Sequence, residues 1–152
     1  MTASFSIDAP PADPRFAQEP PGVLFGLPMP MAQALALHGE GIGDDRAQVR
    51  MAFQPMFANS RQQAHGGAIA ALLDCALAAA VRAHDPAAHG VATIDLTLHF
   101  VAATSGDLVA RALCERRGRS ISFARGEVRG GDGTLVALAT GTFKLVPRTP
   151  GQ

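Results

Sequence analysis

Between Asn59 and Asp74 the chain reads N-S-R-Q-Q-A-H-G-G-A-I-A-A-L-L-D, and its last residue is a carboxylate in an apolar setting. Asp74 is flanked by Ala, Ile, Leu and Cys. Buried there without a partner it would forfeit on the order of several kcal/mol of hydration. Either the segment is not buried or Asp74 is kept for chemistry, and the chemistry open to a carboxylate is proton abstraction or nucleophilic attack. A His65-Gly66-Gly67 turn stands directly before the apolar run.

The elements that must position these residues can be read from periodicity. From Gly67 to His84 the chain is apolar nearly all round, rich in alanine and free of internal Gly and Pro. That predicts a helix buried on most sides, ending near Asp85-Pro86. Upstream, Pro30 followed by residues 31–39 reads as a short helix with glycine at its exit. Strict alternation from Ala47 through Val49, Met51 and Phe53 predicts a half-buried strand. Four strand-like runs follow the long helix: 91–101, 107–116, 120–129 and 134–146. Thr104-Ser105-Gly106, Arg117-Gly118-Arg119 and Gly130-Gly131-Asp132-Gly133 mark the turns between them, so the second half is expected to be an antiparallel meander. Residues 135–139 are apolar on both faces and should be central or covered twice. One sheet curled around one buried helix, an α+β arrangement, is the predicted fold. Residues 1–22, with five prolines, are expected to be a flexible arm or an extended strap, 23–147 the domain, and 148–152 a short flexible tail.

Composition narrows the function classes. The 152 residues carry thirteen charges of each sign, so no global field attracts nucleic acid or an anionic membrane. The longest apolar run, 66–81, is shorter than the roughly 18 to 20 residues that span a bilayer, and it contains Asp74. There is no basic start followed by an apolar run, and the two cysteines, Cys75 and Cys114, have no metal-ligand spacing. A cytoplasmic protein with reduced cysteines is expected. Its 47% hydrophobic content suggests that some apolar surface goes into a subunit interface. His38, His84, His89 and His99 share no spacing that suggests a metal site, and none is assigned.

The chain resembles the hotdog-fold acyl-CoA thioesterases, the group of the phenylacetate-pathway and 4-hydroxybenzoyl-CoA enzymes. The matching residues are Asn59, His65-Gly66-Gly67, Asp74, residues 90–96 (G-V-A-T-I-D-L) and the Gly118-Arg119-Ser120 turn, and the resemblance covers roughly residues 28 to 146. It implies an antiparallel sheet wrapped around one long helix, and hydrolysis of an acyl-CoA thioester to acid and coenzyme A. It further implies that Asp74 is the nucleophile or general base and that the Gly66 N–H polarises the thioester carbonyl. A helix N-terminus, with unpaired N–H groups and the positive dipole end, suits a developing oxyanion. By the same resemblance Asn59 orients water or contacts the acyl group, and His65 holds the thioester region or fixes the turn. Thr93 matches a position that often carries a hydroxyl near the site, yet the alternation of Ala92, Ile94, Leu96 and Leu98 puts it on the opposite face. Arg119, with Arg61, Gly67, Ser120 and Thr93, is the candidate set for substrate binding, guanidinium groups suiting the coenzyme's phosphates. No cofactor is implied beyond the coenzyme A of the substrate. One branch of the family has Glu at the position of Asp74 and Thr at that of Ala78, so its water-positioning details do not transfer.

Distance then constrains assembly. Asp74 lies eight residues beyond Gly66, roughly 12 Å along a helix. One thioester carbon cannot sit within about 3 Å of Asp74 while its oxygen touches Gly66 of the same chain. Joint action therefore requires a homodimer, which the family's tetramers extend to a dimer of dimers; no nucleic-acid or membrane partner is expected. Two rival functions stand beside hydrolysis: a non-catalytic acyl-CoA-binding module, and a hotdog hydratase or dehydratase pairing a His with an acid. Phe53, Phe57, Met51 and Met56 suggest an apolar pocket, and Met29 and Met31 are core or pocket lining.

Overall fold

The computed structural model describes residues 6–149; the outer parts of the expected arm and tail, residues 1–5 and 150–152, lie outside the described residues. In chain order the elements are β1 (Val23–Leu24), β2 (Leu27–Pro28), α1 (Pro30–Ala34), β3 (His38–Gly43), β4 (Arg46–Met51), α2 (Gly66–Val81), β5 (His89–Phe100), β6 (Leu108–Arg117), β7 (Ser122–Gly130) and β8 (Leu135–Pro147). Single 3-10 turns stand at Pro14–Phe16 and Pro55–Phe57. β3 to β8 form one antiparallel six-stranded sheet in the order β3-β4-β6-β7-β8-β5, with α2 packed in its concave face. This is the hotdog arrangement.

Helix and sheet approach closely because the sheet offers small residues. Ala110, Ala112 and Ala124 are buried beneath the helix, and a Cβ on Gly126 would lie 2.5 Å from Leu77 Cδ1. Ile69, Leu72, Leu73, Ala76, Leu77 and Ala80 of α2 fill the space above them. The opposite side of α2 is less covered: Gly67 is exposed, and Ala71, Asp74 and Ala78, on the same stripe at helical spacing, are half-buried. Among the described residues no helix is long and apolar enough to cross a membrane.

Three expectations change. The short helix ends at Ala34 rather than reaching Gly39, because Ala36 takes a left-handed conformation (φ 50°) and redirects the chain into β3, an edge strand that the helical reading of 31–39 had hidden. The long helix ends at Val81, three residues before His84, where the Arg82 side chain turns inward. The four last strands are not a simple meander: only β6, β7 and β8 are, while β5 pairs with β8. Residues 101–107 form a crossover and not a hairpin turn. Seven residues reach about 24 Å, and three strand spacings need only about 14 Å. The Val101 and Ala102 N–H groups both donate to the Val136 carbonyl, and Ala64 N–H to that of Thr104, fixing this crossover at the helix start.

Residues 6–22 lie along the molecule's outer surface. Ile7 is 3% exposed, its N–H donates to Glu127 Oε1, and its carbonyl accepts from Arg111. Glu127 faces away from α2 and is covered by this strap.

Candidate functional site

The start of α2 is built by His65. Its Nδ1 accepts the Gly67 N–H at 2.8 Å, and its carbonyl accepts from Ala68 and Ile69. Those bonds satisfy most of the first-turn donors that a helix leaves open. The Gly66 N–H donates to no described group. A Cβ on Gly66 would lie 3.3 Å from the Phe100 ring, so glycine keeps the backbone accessible beside that ring. The position of Gly67 differs: its N–H is already taken.

Two cavities flank this turn. One, of about 310 Å³, is lined by Asn59, Arg61, Gln63, Gly66, Ile69 and Phe100, together with the start of the crossover. The other, of about 210 Å³, is lined by Met31, Leu35, Met56, Phe57, His65 and Gly67. Gly66 belongs to the polar cavity, whereas His65 belongs to the apolar groove. Asn59 is held by its own loop, its Oδ1 accepting from the Arg61 N–H (2.8 Å) and the Gln63 N–H (3.1 Å). Its carboxamide oxygen is therefore occupied in a turn, and its amino group is what remains for the cavity. The Arg61 Nε donates to Gln63 Oε1 at 3.3 Å.

Two turns further along α2, Asp74 Oδ1 accepts the Thr93 Oγ1–H at 2.8 Å. The expectation that Thr93 points away from the helix is thus corrected. Strand register explains it: Thr93 pairs with Phe143 but Asp95 with Thr142, so Ile94 is an extra residue in β5. A bulge shifts the alternation by one place. Val91 and Thr93 face α2 before it, and Leu96 and Leu98 after it, while Ile94 is left 53% exposed. The neighbouring Cys75 is pushed up to about 11, first by burial and then by the Asp74 charge, so its thiol stays protonated and is no nucleophile.

The arginines divide by task. Arg117 donates to the Val81 and Ala80 carbonyls and pairs with Asp45, so it caps the end of α2. Arg125 pairs with Glu115. Arg119 and Ser120 are exposed in the β6–β7 turn, at the opposite end of the molecule from Gly66. Within one chain, Asp74 with Thr93, Gly66 with Asn59 and Arg61, and Arg119 with Ser120 are three separate places. Phe100 beside Gly66 was not singled out in the sequence, and only its place at the end of a strand could have pointed to it. Met51 lies fully buried in the core, which removes it from any pocket, while Met31 and Met56 are exposed. Among the described residues no group of three or more His, Cys, Asp or Glu side chains is placed to hold a metal ion.

Comparison with known proteins agrees with this architecture. The model of the thioesterase superfamily matches residues 62–137, a span that contains His65, Gly66, Asp74, Thr93 and Arg119 and leaves Asn59 and Arg61 just outside. A Halobacterium salinarum protein named for a proposed esterase activity is 31% identical over 127 residues, covering 78% of this chain and 72% of its own. The structure of a phenylacetic acid degradation-related protein from Ralstonia eutropha superposes with a TM-score of 0.70 at 31% identity, over 80% of this chain and 93% of that one. The E. coli PaaI protein, from the phenylacetic acid degradation operon, shares the fold with a TM-score of 0.69 at 24% identity, over 76% of this chain and 83% of its own.

Proposed function

The chain belongs to the thioesterase superfamily, and from that premise we propose that it hydrolyses an acyl-CoA thioester to the free acid and coenzyme A in a site shared by two subunits. The observation that carries this reading is the pairing of Asp74, held by Thr93 on the less covered stripe of α2, with an unpartnered Gly66 N–H on the same helix. As general base, Asp74 takes a proton from water while the water oxygen attacks the thioester carbon. The carbonyl oxygen becomes an oxyanion at the Gly66 N–H, and its collapse breaks the C–S bond and releases the thiolate. As nucleophile, the Asp74 carboxylate attacks the thioester carbon and expels the coenzyme A thiolate, leaving a mixed anhydride that water hydrolyses to the free acid and the Asp74 carboxylate. Either route needs no cofactor, since coenzyme A arrives with the substrate.

The dimer follows from the reach argument and has support in the surface. β5 is an edge strand twelve residues long, with Ile94 and Phe100 exposed. Such an edge is a template for a second strand. Along it Thr93 sits beside Asp74 and Phe100 beside Gly66, so β5 runs antiparallel to α2. A two-fold axis midway between those contacts brings Asp74 of one chain to Gly66 of the other. Within one chain Arg119 and Ser120 lie far from Arg61, so sharing the coenzyme phosphates among them would require the β6–β7 turn of the partner.

The dehydratase alternative calls for a catalytic imidazole, and His65 has its Nδ1 engaged at the helix cap. Both cysteines are free thiols, in keeping with a cytoplasmic setting. The test is turnover of a short-, medium- and long-chain and aryl acyl-CoA panel by Asp74→Asn. It is expected to retain binding and lose at least roughly 100-fold in rate. Unchanged turnover would remove the mechanism, and tight binding without hydrolysis in the wild type would make the protein a binding module.

A further inference from the structure

We infer that the groove between α1 and the 3-10 turn Pro55–Phe57 receives the acyl group, and that Met31 and Met56 set which acyl groups are accepted. This rests on the thioesterase reading above and extends it to substrate class. Met31 is 62% and Met56 74% exposed, although a third methionine, Met51, is fully buried. Two large apolar side chains therefore stand in water on either side of a groove whose floor holds Leu35 and Phe57. His65 is the one ionisable side chain in the lining, and its Nδ1 is already engaged with Gly67.

Position decides between this groove and the cavity on the other flank. Both touch the His65-Gly66-Gly67 turn, Gly66 lining the polar cavity and its two neighbours the groove, so a carbonyl held at the Gly66 N–H stands one residue from the groove on either side. The Gly66 cavity is lined by Asn59, Arg61 and Gln63, which suit the amides and phosphates of the coenzyme arm. The methionine groove offers those atoms only the His65 Nε2 side of its rim and otherwise suits hydrocarbon. At about 210 Å³ it is below the roughly 300 Å³ at which sites for whole drug-sized ligands begin, so it takes one substituent of a larger ligand. Methionine is flexible and polarisable and packs on aliphatic and aromatic groups alike. The substrate class is thus an uncharged, apolar acyl group of medium length or an aryl acyl group, with very short and carboxylated acyl groups disfavoured.

Met31→Trp and Met56→Glu test this, the first by filling the groove and the second by placing charge in it; both positions are exposed, and thermal unfolding checks that the fold is kept. The readouts are kcat/KM for acetyl-, butyryl-, octanoyl- and phenylacetyl-CoA, and binding of the non-hydrolysable S-ethyl and S-octyl thioethers of coenzyme A. In both variants kcat/KM for octanoyl- and phenylacetyl-CoA should fall about tenfold or more relative to that for acetyl-CoA, a scale in line with one or two methylenes in an apolar pocket. In the wild type S-octyl should bind at least about tenfold tighter than S-ethyl, and the variants should close that gap. A chain-length profile and thioether preference unmoved in both variants would overturn the inference while hydrolysis stands. Substitution that shifts sedimentation from dimer to monomer without altering the preference would also overturn it, marking the groove as part of a subunit contact. Preference for S-octyl that the variants abolish, with no turnover of any thioester, would defeat hydrolysis and leave the groove assignment standing.

Discussion

The two ends of α2 are treated in opposite ways. At its C-terminal end the last carbonyls accept from Arg117, and Arg82, 2% exposed, donates to the carbonyls of Leu24, Phe25 and Pro86. Burial holds the Arg82 guanidinium down to about 10, yet it stays charged at neutral pH and ties the helix end to the β1–β2 hairpin. At the N-terminal end two glycines replace side chains, His65 caps one donor, and the Gly66 N–H is left open beside the Asn59 and Arg61 cavity. Every helix has orphan groups and a partial charge at both ends. Here one end is closed by arginine side chains and the other leaves a backbone donor open.

The sharpest way to break that contrast is Gly66→Pro. Proline is tolerated at the first helical position, and His65 already has the extended backbone that precedes proline (φ −67°, ψ 135°). The change deletes the open donor and sets a pyrrolidine ring beside Phe100, so Gly66→Ala, which adds the Cβ but keeps the N–H, is the control for crowding. We expect kcat to fall about 10²–10³-fold with the unfolding midpoint nearly unchanged; retained turnover would show that the donor is idle. At the closed end the signature reverses. Arg82→Met leaves three buried carbonyls without their donor and should cost about 3 kcal/mol in urea unfolding, while kcat of the folded enzyme stays within about twofold. A loss below about 1 kcal/mol would mean that water replaces the guanidinium. Between the two ends, Thr93→Val keeps shape but removes the hydroxyl on Asp74, and about a tenfold loss in kcat is expected, the worth of one hydrogen bond to a charged group. No effect on kcat would leave Thr93 a structural partner only.

Much of this contrast was legible beforehand. Glycines after a histidine, an acid within an alanine-rich run and a proline near the far end define α2 without any structure. Three features were hidden for physical reasons. Ile94 is an ordinary strand former, and nothing in an alternating run reveals which residue is bulged, so alternation alone puts Thr93 on the wrong face. Residues 101–107 look like a hairpin turn because turn chemistry, here the Gly106 N–H on Thr104 Oγ1, is local and carries no information about which strand comes next. Arg82 reads as one more charge at a helix end, since its partners Leu24 and Phe25 are 58 and 57 residues away in the chain. The split of the methionines, Met51 in the core and Met31 and Met56 in the open, likewise depends on packing between distant elements.

Pinning Ile7 against Glu127 has a practical side. Any polypeptide fused ahead of Ser6 joins the fold at Ile7, on the outer face of the sheet and away from α2. A protein anchored to a solid support through that handle would turn the sheet face that carries α2, with the cavities beside its first turn, away from the support.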